Sequence, residues 1–130
     1  GCAYRYFANN GEGHIACITS IAGTKGLGPA PAYSASKAMQ NTYLQALEQL
    51  AISKHHNIHF TDIRPGFVDT PLLAGSSRLP MLMTTEKVAR SILKAVNSRR
   101  HVCVIDTRWA VLTFLWRLIP NWIWRRMKLC

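Results

Sequence analysis

Tyr33-Ser-Ala-Ser-Lys37 decides how the rest of this 130-residue chain is read. A tyrosine and a lysine four residues apart share one face of a helix, a turn from each other. A free phenol has a pKa of about 10, and a fixed neighbouring cation favours the phenolate. The pair is therefore a candidate proton-transfer couple in which the lysine tunes the acid. A packed ring beside a solvated ammonium explains a lone match of this kind at least as well, so the flanking order carries the weight. Before the pair come an apolar strand, His14-Ile-Ala-Cys-Ile-Thr19, then Ser20 and a glycine-bearing loop. After it comes a second strand that ends in Pro65-Gly66-Phe67-Val68-Asp69-Thr70.

Outward from the pair, Met39, Tyr43, Ala46, Leu47 and Leu50 recur by threes and fours, as the apolar stripe of a helix requires. That stripe is expected to be core or subunit interface. The spacing predicts strand 14–19, helix 33–54, strand 58–63, helix 84–97, strand 101–106 and a helical tail from about 109. Thr84 suits a helix cap and Glu86 a first turn, with Val88, Ile92, Leu93 and Val96 as the buried face. Residues 1–11 read as the end of an earlier helix stopped at Asn9, Asn10 and Gly11. This alternation predicts an α/β fold: a partial doubly wound, Rossmann-like parallel sheet of about three strands with flanking helices and a helical carboxyl-terminal tail. Right-handed crossovers are expected between its strands. The length and the 48% apolar content allow one domain with a core and exclude disorder.

The set of Ser20, Tyr33, Lys37 and the Pro65-to-Thr70 segment resembles the carboxyl-terminal half of the short-chain dehydrogenases/reductases. In that family a strand-end serine lies thirteen residues before the tyrosine, the relation of Ser20 to Tyr33. The resemblance implies an NAD(P)-dependent oxidoreductase that interconverts an alcohol and a carbonyl by hydride transfer. Carried over residue by residue, Ser20 would hydrogen-bond the substrate oxygen and Tyr33 would donate or accept the proton. Lys37 would hold the nicotinamide ribose and lower the Tyr33 pKa. Pro65 and Gly66 would shape the cofactor site, Val68 would contact the carboxamide through its backbone, and the Thr70 hydroxyl would meet the carboxamide or pyrophosphate. Residues 1–106 would then be the carboxyl-terminal half of the oxidoreductase domain, and 107–130 a basic aromatic tail.

The family's first strand, its glycine-rich turn, its Asn-Asn-Ala-Gly segment and its catalytic asparagine have no counterpart here, and Asn9-Asn10 do not replace them. The chain is therefore expected to be a fragment, inactive alone, whose choice between NAD and NADP lies in the missing half. Gly23-Thr-Lys-Gly26-Leu-Gly28 follows a strand as a phosphate-binding loop should, but its spacing is wrong. Pro29 and Pro31 also remove amide donors and delay the helix. It reads as a flexible loop with Lys25 solvated. The first strand would lose the neighbour that the family places beside it. Association through that edge, or membership of a longer chain, is expected, and the protein as a homo-oligomer. Residues 71–83 would be the lid over the substrate; their leucines and methionines suit an apolar carbonyl or alcohol, or ordinary packing.

The formal charge of +10 invites a nucleic-acid reading, which its distribution opposes. From 99 to 130, seven Lys/Arg (Arg99, Arg100, Arg108, Arg117, Arg125, Arg126, Lys128) face one acid, Asp106, a net of +6. These alternate with Trp109, Phe114, Trp116, Trp122 and Trp124, but also with Val111, Leu112, Leu115, Leu118 and Ile119. A stacking platform for bases needs less aliphatic surface, and a bilayer interface suits the mixture better. The run is too short and interrupted to span, since a transmembrane helix needs about 20 apolar residues. Either the tail is an interfacial, peripheral membrane segment or its aromatics pack on the sheet or a partner subunit. Cys2, Cys17, Cys103 and Cys130 have no metal or redox spacing, with Cys17 and Cys103 on buried strands, and the five histidines suggest no metal site. A reducing cytoplasm fits. The competing function is a non-catalytic membrane-anchoring or protein-interaction module of the same fold.

Overall fold

The computed structural model describes residues 1–68 and 81–128. Helix α1 (Cys2–Asn10) leads into strand β1 (Glu12–Ile18), helix α2 (Pro31–Ser53) and strand β2 (Asn57–Arg64). Helix α3 (Thr85–Asn97), strand β3 (Val102–Val104) and helices α4 (Thr107–Leu118) and α5 (Asn121–Trp124) complete the order. The strands form one parallel sheet in the order β1-β2-β3, with Glu12 opposite Asn57, Ile18 opposite Ile63, and Ile63 opposite Cys103. This is the expected partial Rossmann-like sheet. Among the described residues β1 pairs only with β2 and leaves one backbone edge open.

Local chemistry sets the element ends. Asn10 is followed by Gly11 at φ 95°, a left-handed conformation that glycine adopts without steric cost. The Thr84 side chain accepts from the Lys87 amide and caps α3, as expected. Pro31 opens α2 rather than delaying it, because the first helical position has no use for an amide donor. The helical tail starts at Thr107, two residues earlier than expected. Asp106, at φ 74°, turns the chain out of β3 and accepts from the Arg108 amide at 3.0 Å.

Strand β2 separates two cores, because successive side chains point to opposite faces. Ile58 and Phe60 meet Leu44 and Ala51 of α2 and Tyr4 of α1. Ile63, of opposite parity, meets Val88 of α3 together with Ile21, Met83, Ile105 and Trp109. Burying a side chain of that size fully contributes roughly 1.5–3 kcal/mol. Since α2 and α3 cover opposite faces while the strands advance in one direction, the two crossovers have opposite hands. The expectation of right-handed crossovers throughout is corrected.

The stripe of α2 is largely not core in this chain, which leaves its subunit-interface alternative, and α3 differs from expectation at Leu93. Met39, Tyr43 and Leu50 of α2 point to solvent, at 66%, 54% and 39% exposure. The face against the sheet uses Leu44, Leu47 and Ala51. In α3, Val88, Ile92 and Val96 face the core as expected, whereas Leu93 is exposed and the small Ala95 is buried. A close approach of helix to sheet favours small residues over large ones at the contact line. No helix among the described residues is long and apolar enough to cross a membrane.

Candidate active site

Ser20 follows β1 directly in extended conformation (φ −169°, ψ 156°) and begins a 3-10 turn, Ile21–Gly23. Its Oγ accepts from the Ala22 amide at 3.1 Å and lies 3.5 Å from the Pro65 carbonyl oxygen. The same carbonyl accepts from the Ile21 amide at 3.2 Å. Parallel pairing of β1 with β2 therefore ties the serine turn to the Pro65-Gly66 segment. Below it, Thr19 Oγ1 donates to buried Asp62, which also receives Arg64 Nε at 2.8 Å. Cys17, half-buried on β1, has its thiol pushed up by burial and by the Asp62 charge, partly opposed by Lys37.

Tyr33 stands in the first turn of α2 with its ring 49% exposed. Lys37, one turn on, places its ammonium 5.7 Å from the Tyr33 ring centre and donates to Gln40 Oε1 at 3.2 Å. The turn after Ser20 rests on this part of the helix. A Cβ added to Gly23 would come within 2.6 Å of the Lys37 carbonyl carbon and 2.7 Å of its oxygen. Glycine is what lets the serine turn lie against the Lys37 turn. Ser20, Pro65 and the Tyr33/Lys37 turn are thus brought to one end of the sheet.

Ser34 was not singled out by its sequence context, yet it holds this junction. Its buried hydroxyl lies 2.7 Å from the Ala22 carbonyl and 2.8 Å from the Lys25 carbonyl, and it accepts from the Leu27 amide at 3.2 Å. Its place beside Tyr33 was the available signal. Lys25 corrects the picture of a flexible loop with a solvated lysine: its ammonium donates to the Ile119 carbonyl at 2.9 Å and to Asn121 Oδ1 at 2.7 Å. It also lies 5.7 Å from the Trp124 ring centre. The tail packs on this loop, a partner that nothing local could announce.

On the other side, Gly66 lies under the Trp109 indole, so close that an added Cβ would be 2.5 Å from Cε2 and 2.6 Å from Cδ1. Phe67 meets Trp109 edge-on at 5.5 Å, its carbonyl accepts from the Met83 amide at 3.0 Å, and Val68 bridges Met83. Thr70, the remaining candidate, and most of the supposed lid lie outside the described residues. Lys37 is the side chain here that could hold a hydroxyl-bearing cofactor. Among the described residues the Lys37 ammonium, with three donors, meets one acceptor, Gln40. A Cβ added to Gly26 or Gly28 would meet nothing within 4 Å.

Residues 2–79 match the short chain dehydrogenase family, and the chain belongs to it. It is 31% identical over 111 residues to an uncharacterized oxidoreductase of Myxococcus xanthus, covering 85% of this chain and 43% of that protein. It is 30% identical over 115 residues to short-chain dehydrogenase/reductase family 16C member 6 of Bos taurus, covering 85% and 36%. A short chain dehydrogenase from Burkholderia cenocepacia, solved with NADP, superposes with a TM-score of 0.76 at 17% identity, over 95% of this chain and 52% of that one. A Sphingobium yanoikuyae short-chain dehydrogenase solved with NADPH gives a TM-score of 0.69 at 19% identity, over 98% and 50%. Those two likenesses establish the Rossmann-like fold. The chain spans less than half the length of the two relatives named first.

Proposed function

We propose that the protein carrying this chain is an NAD- or NADP-dependent oxidoreductase that interconverts a small, apolar carbonyl compound and its alcohol. The carrying observation is the convergence of Ser20, Pro65 and the Tyr33/Lys37 turn, held by the Ser20–Pro65 contact and by the close seat of Gly23 on Lys37. Ser20 Oγ is anchored as an acceptor by the Ala22 amide, and among the described residues its one acceptor, the Pro65 carbonyl, is distant, so its O–H is available to a substrate oxygen. Tyr33 exposes its phenol to exchange a proton with that oxygen, and the Lys37 ammonium sets a cation beside the ring. The nicotinamide group, when bound, supplies or accepts the hydride. Lys37 would hold its ribose, with Pro65, Gly66, Val68 and Thr70 along the nicotinamide.

The test joins the chain to the family's amino-terminal half and follows NADH and NADPH oxidation across a panel of carbonyl compounds. Tyr33→Phe is expected to lower the rate at least a hundredfold, the lower end for a general acid. Equal rates in the two proteins would remove Tyr33 from the reaction. The 130-residue chain alone is expected to show no turnover.

A homo-oligomer belongs to the same reading, with Met39, Tyr43 and Leu50 as the exposed apolar surface for another subunit. A cytoplasmic location is in keeping with the free thiols of Cys2, Cys17 and Cys103. Peripheral attachment to a membrane through 107–130 is favoured by one observation: α4 is apolar on two faces. Trp109, Thr113 and Trp116 turn inward, while Val111, Phe114, Leu115 and Leu118 form an exposed stripe at helical spacing.

A further inference from the structure

We propose that the carboxyl-terminal segment 107–124 is a positioning clamp for the two loops of the candidate active site, through Trp109, Trp116, Trp124 and their partner Lys25. The proposal rests on the oxidoreductase reading above and adds the residues that set its loop geometry. Each of the three inward tryptophans uses its only polar atom on one of these loops. Trp116 Nε1 donates to Thr24 Oγ1 at 2.9 Å and Trp124 Nε1 to the Gly26 carbonyl at 2.6 Å, both on the loop between Ser20 and Tyr33. Trp109 Nε1 reaches the Met81 carbonyl at 3.4 Å, while its ring covers Gly66 and Phe67 on the loop after β2. Trp116 and Trp124 also meet edge-on at 5.7 Å, so the comb is one packed unit.

Lys25 closes the arrangement from the loop side. Helix α4 ends where Pro120 follows Ile119, and the Ile119 carbonyl has no partner within the helix. The Lys25 ammonium takes that carbonyl and Asn121 Oδ1 together, placing a cation at a helix carboxyl terminus, where the dipole favours it. The loop is thus fixed at both ends of its span. Ser34, next to Tyr33, ties its base to α2, and the tail ties its tip. Release of the tip lets the Ser20 turn drift from the Tyr33/Lys37 turn, and small misplacements of reacting groups are costly.

Hydrogen exchange resolved by residue, on the chain itself, is the direct measurement. Lys25→Met keeps the stem length and removes the donors, and Lys25→Arg keeps the charge and donors. Lys25→Met is expected to raise exchange of the amides of Gly23, Thr24 and Leu27 about tenfold, the size set by losing a hydrogen bond from a charged donor. Lys25→Arg should restore protection, and the β2 amides of Phe60 to Ile63 should stay unchanged in both. Trp116→Phe, which keeps a ring and loses the N–H, should act like Lys25→Met. In the chain joined to the amino-terminal half, Lys25→Met should lower kcat about tenfold, with NADPH affinity unchanged and Lys25→Arg near wild type.

Unchanged loop exchange in Lys25→Met would overturn the clamp. A rise shared equally by the β2 amides would also overturn it, since that marks a general strut with no selective hold on the loops. Exchange reads the loops whether or not a carbonyl is turned over. A wild-type protein without activity would therefore count against the function proposed above, while the loop response would still decide the clamp.

Discussion

Gly66→Ala probes how tightly the tail is fitted to the loop after β2. Gly66 is not in the left-handed region, where among the described glycines only Gly11 lies, so alanine suits its backbone. The conflict is steric. The added methyl would stand 2.5 Å from Trp109 Cε2, and ordinary carbon contacts are about 3.5–4.0 Å, so the indole must retreat by about 1 Å. Trp109 is 3% exposed, donates to Met81 and packs on Phe67, so it has little room to move. Overpacking of this kind costs about 1–3 kcal/mol. With a urea slope of about 1–3 kcal/mol per molar, the unfolding midpoint should fall by about 1 M. The control is Trp109→Phe, which is destabilising itself but shortens the ring over Gly66. In that background Gly66→Ala should cost at least about 1 kcal/mol less, a coupling within the range for contacting residues. An unshifted midpoint in Gly66→Ala, or the same cost in both backgrounds, would refute the contact as the reason for this glycine.

The Asp106 carboxyl is held well below the ordinary carboxylate range by hydrogen bonds from the Arg108 side chain and amide, with Lys87 adding to them and burial opposing. A depressed folded-state value stabilises the protein fully above the unfolded pKa of about 4, and that stability is lost progressively as the pH falls from there toward the lower folded-state value. Asp106→Asn keeps the cap and tolerates the positive φ but loses the charge. Because Lys87 and Arg108 are more than half exposed, the loss at pH 7 should be about 1 kcal/mol or less. Thermal melts at pH 7 and pH 3 should show that gap shrinking, and a gap constant with pH would exclude the ion pairs as its source. For the outer stripe of α4, Phe114→Ser with Leu118→Ser should abolish flotation with anionic liposomes while leaving far-ultraviolet circular dichroism unchanged. Undiminished flotation would remove this face from membrane contact. Size-exclusion chromatography of Met39→Lys with Tyr43→Lys should shift an oligomer toward monomer, and an unaltered elution would place the subunit contact elsewhere.

The grouping of Ser20, Pro65 and the Tyr33/Lys37 turn at one end of the sheet was legible because their places at strand ends and at a helix start fix where each lies. The parallel sheet followed from the alternation of periods. Helix faces were less legible. In α2 the larger apolar residues Met39 and Tyr43 look outward, while Leu44 and Ala51 make the close contact with β2. Hydrophobicity alone does not separate a stripe that packs on the sheet from one left on the surface. The hand of the second crossover depends on which face of the sheet α3 covers, and periodicity carries no record of that. Asp106 did carry a signal, an aspartate directly before a helical run. Lys25 carried none, since its acceptors Ile119 and Asn121 are far along the chain.

The tail contacts of Lys25, Trp116 and Trp124 join residues 92 to 98 positions apart. Contacts of such separation form late, because loop closure must precede any gain from them. During synthesis the Ser20 strand, the Tyr33 helix and the strand to Arg64 all emerge before the first tail tryptophan. The loop beside Tyr33 therefore takes its tail contacts only after residues 116–124 have been made, long after the sheet strands β1 and β2.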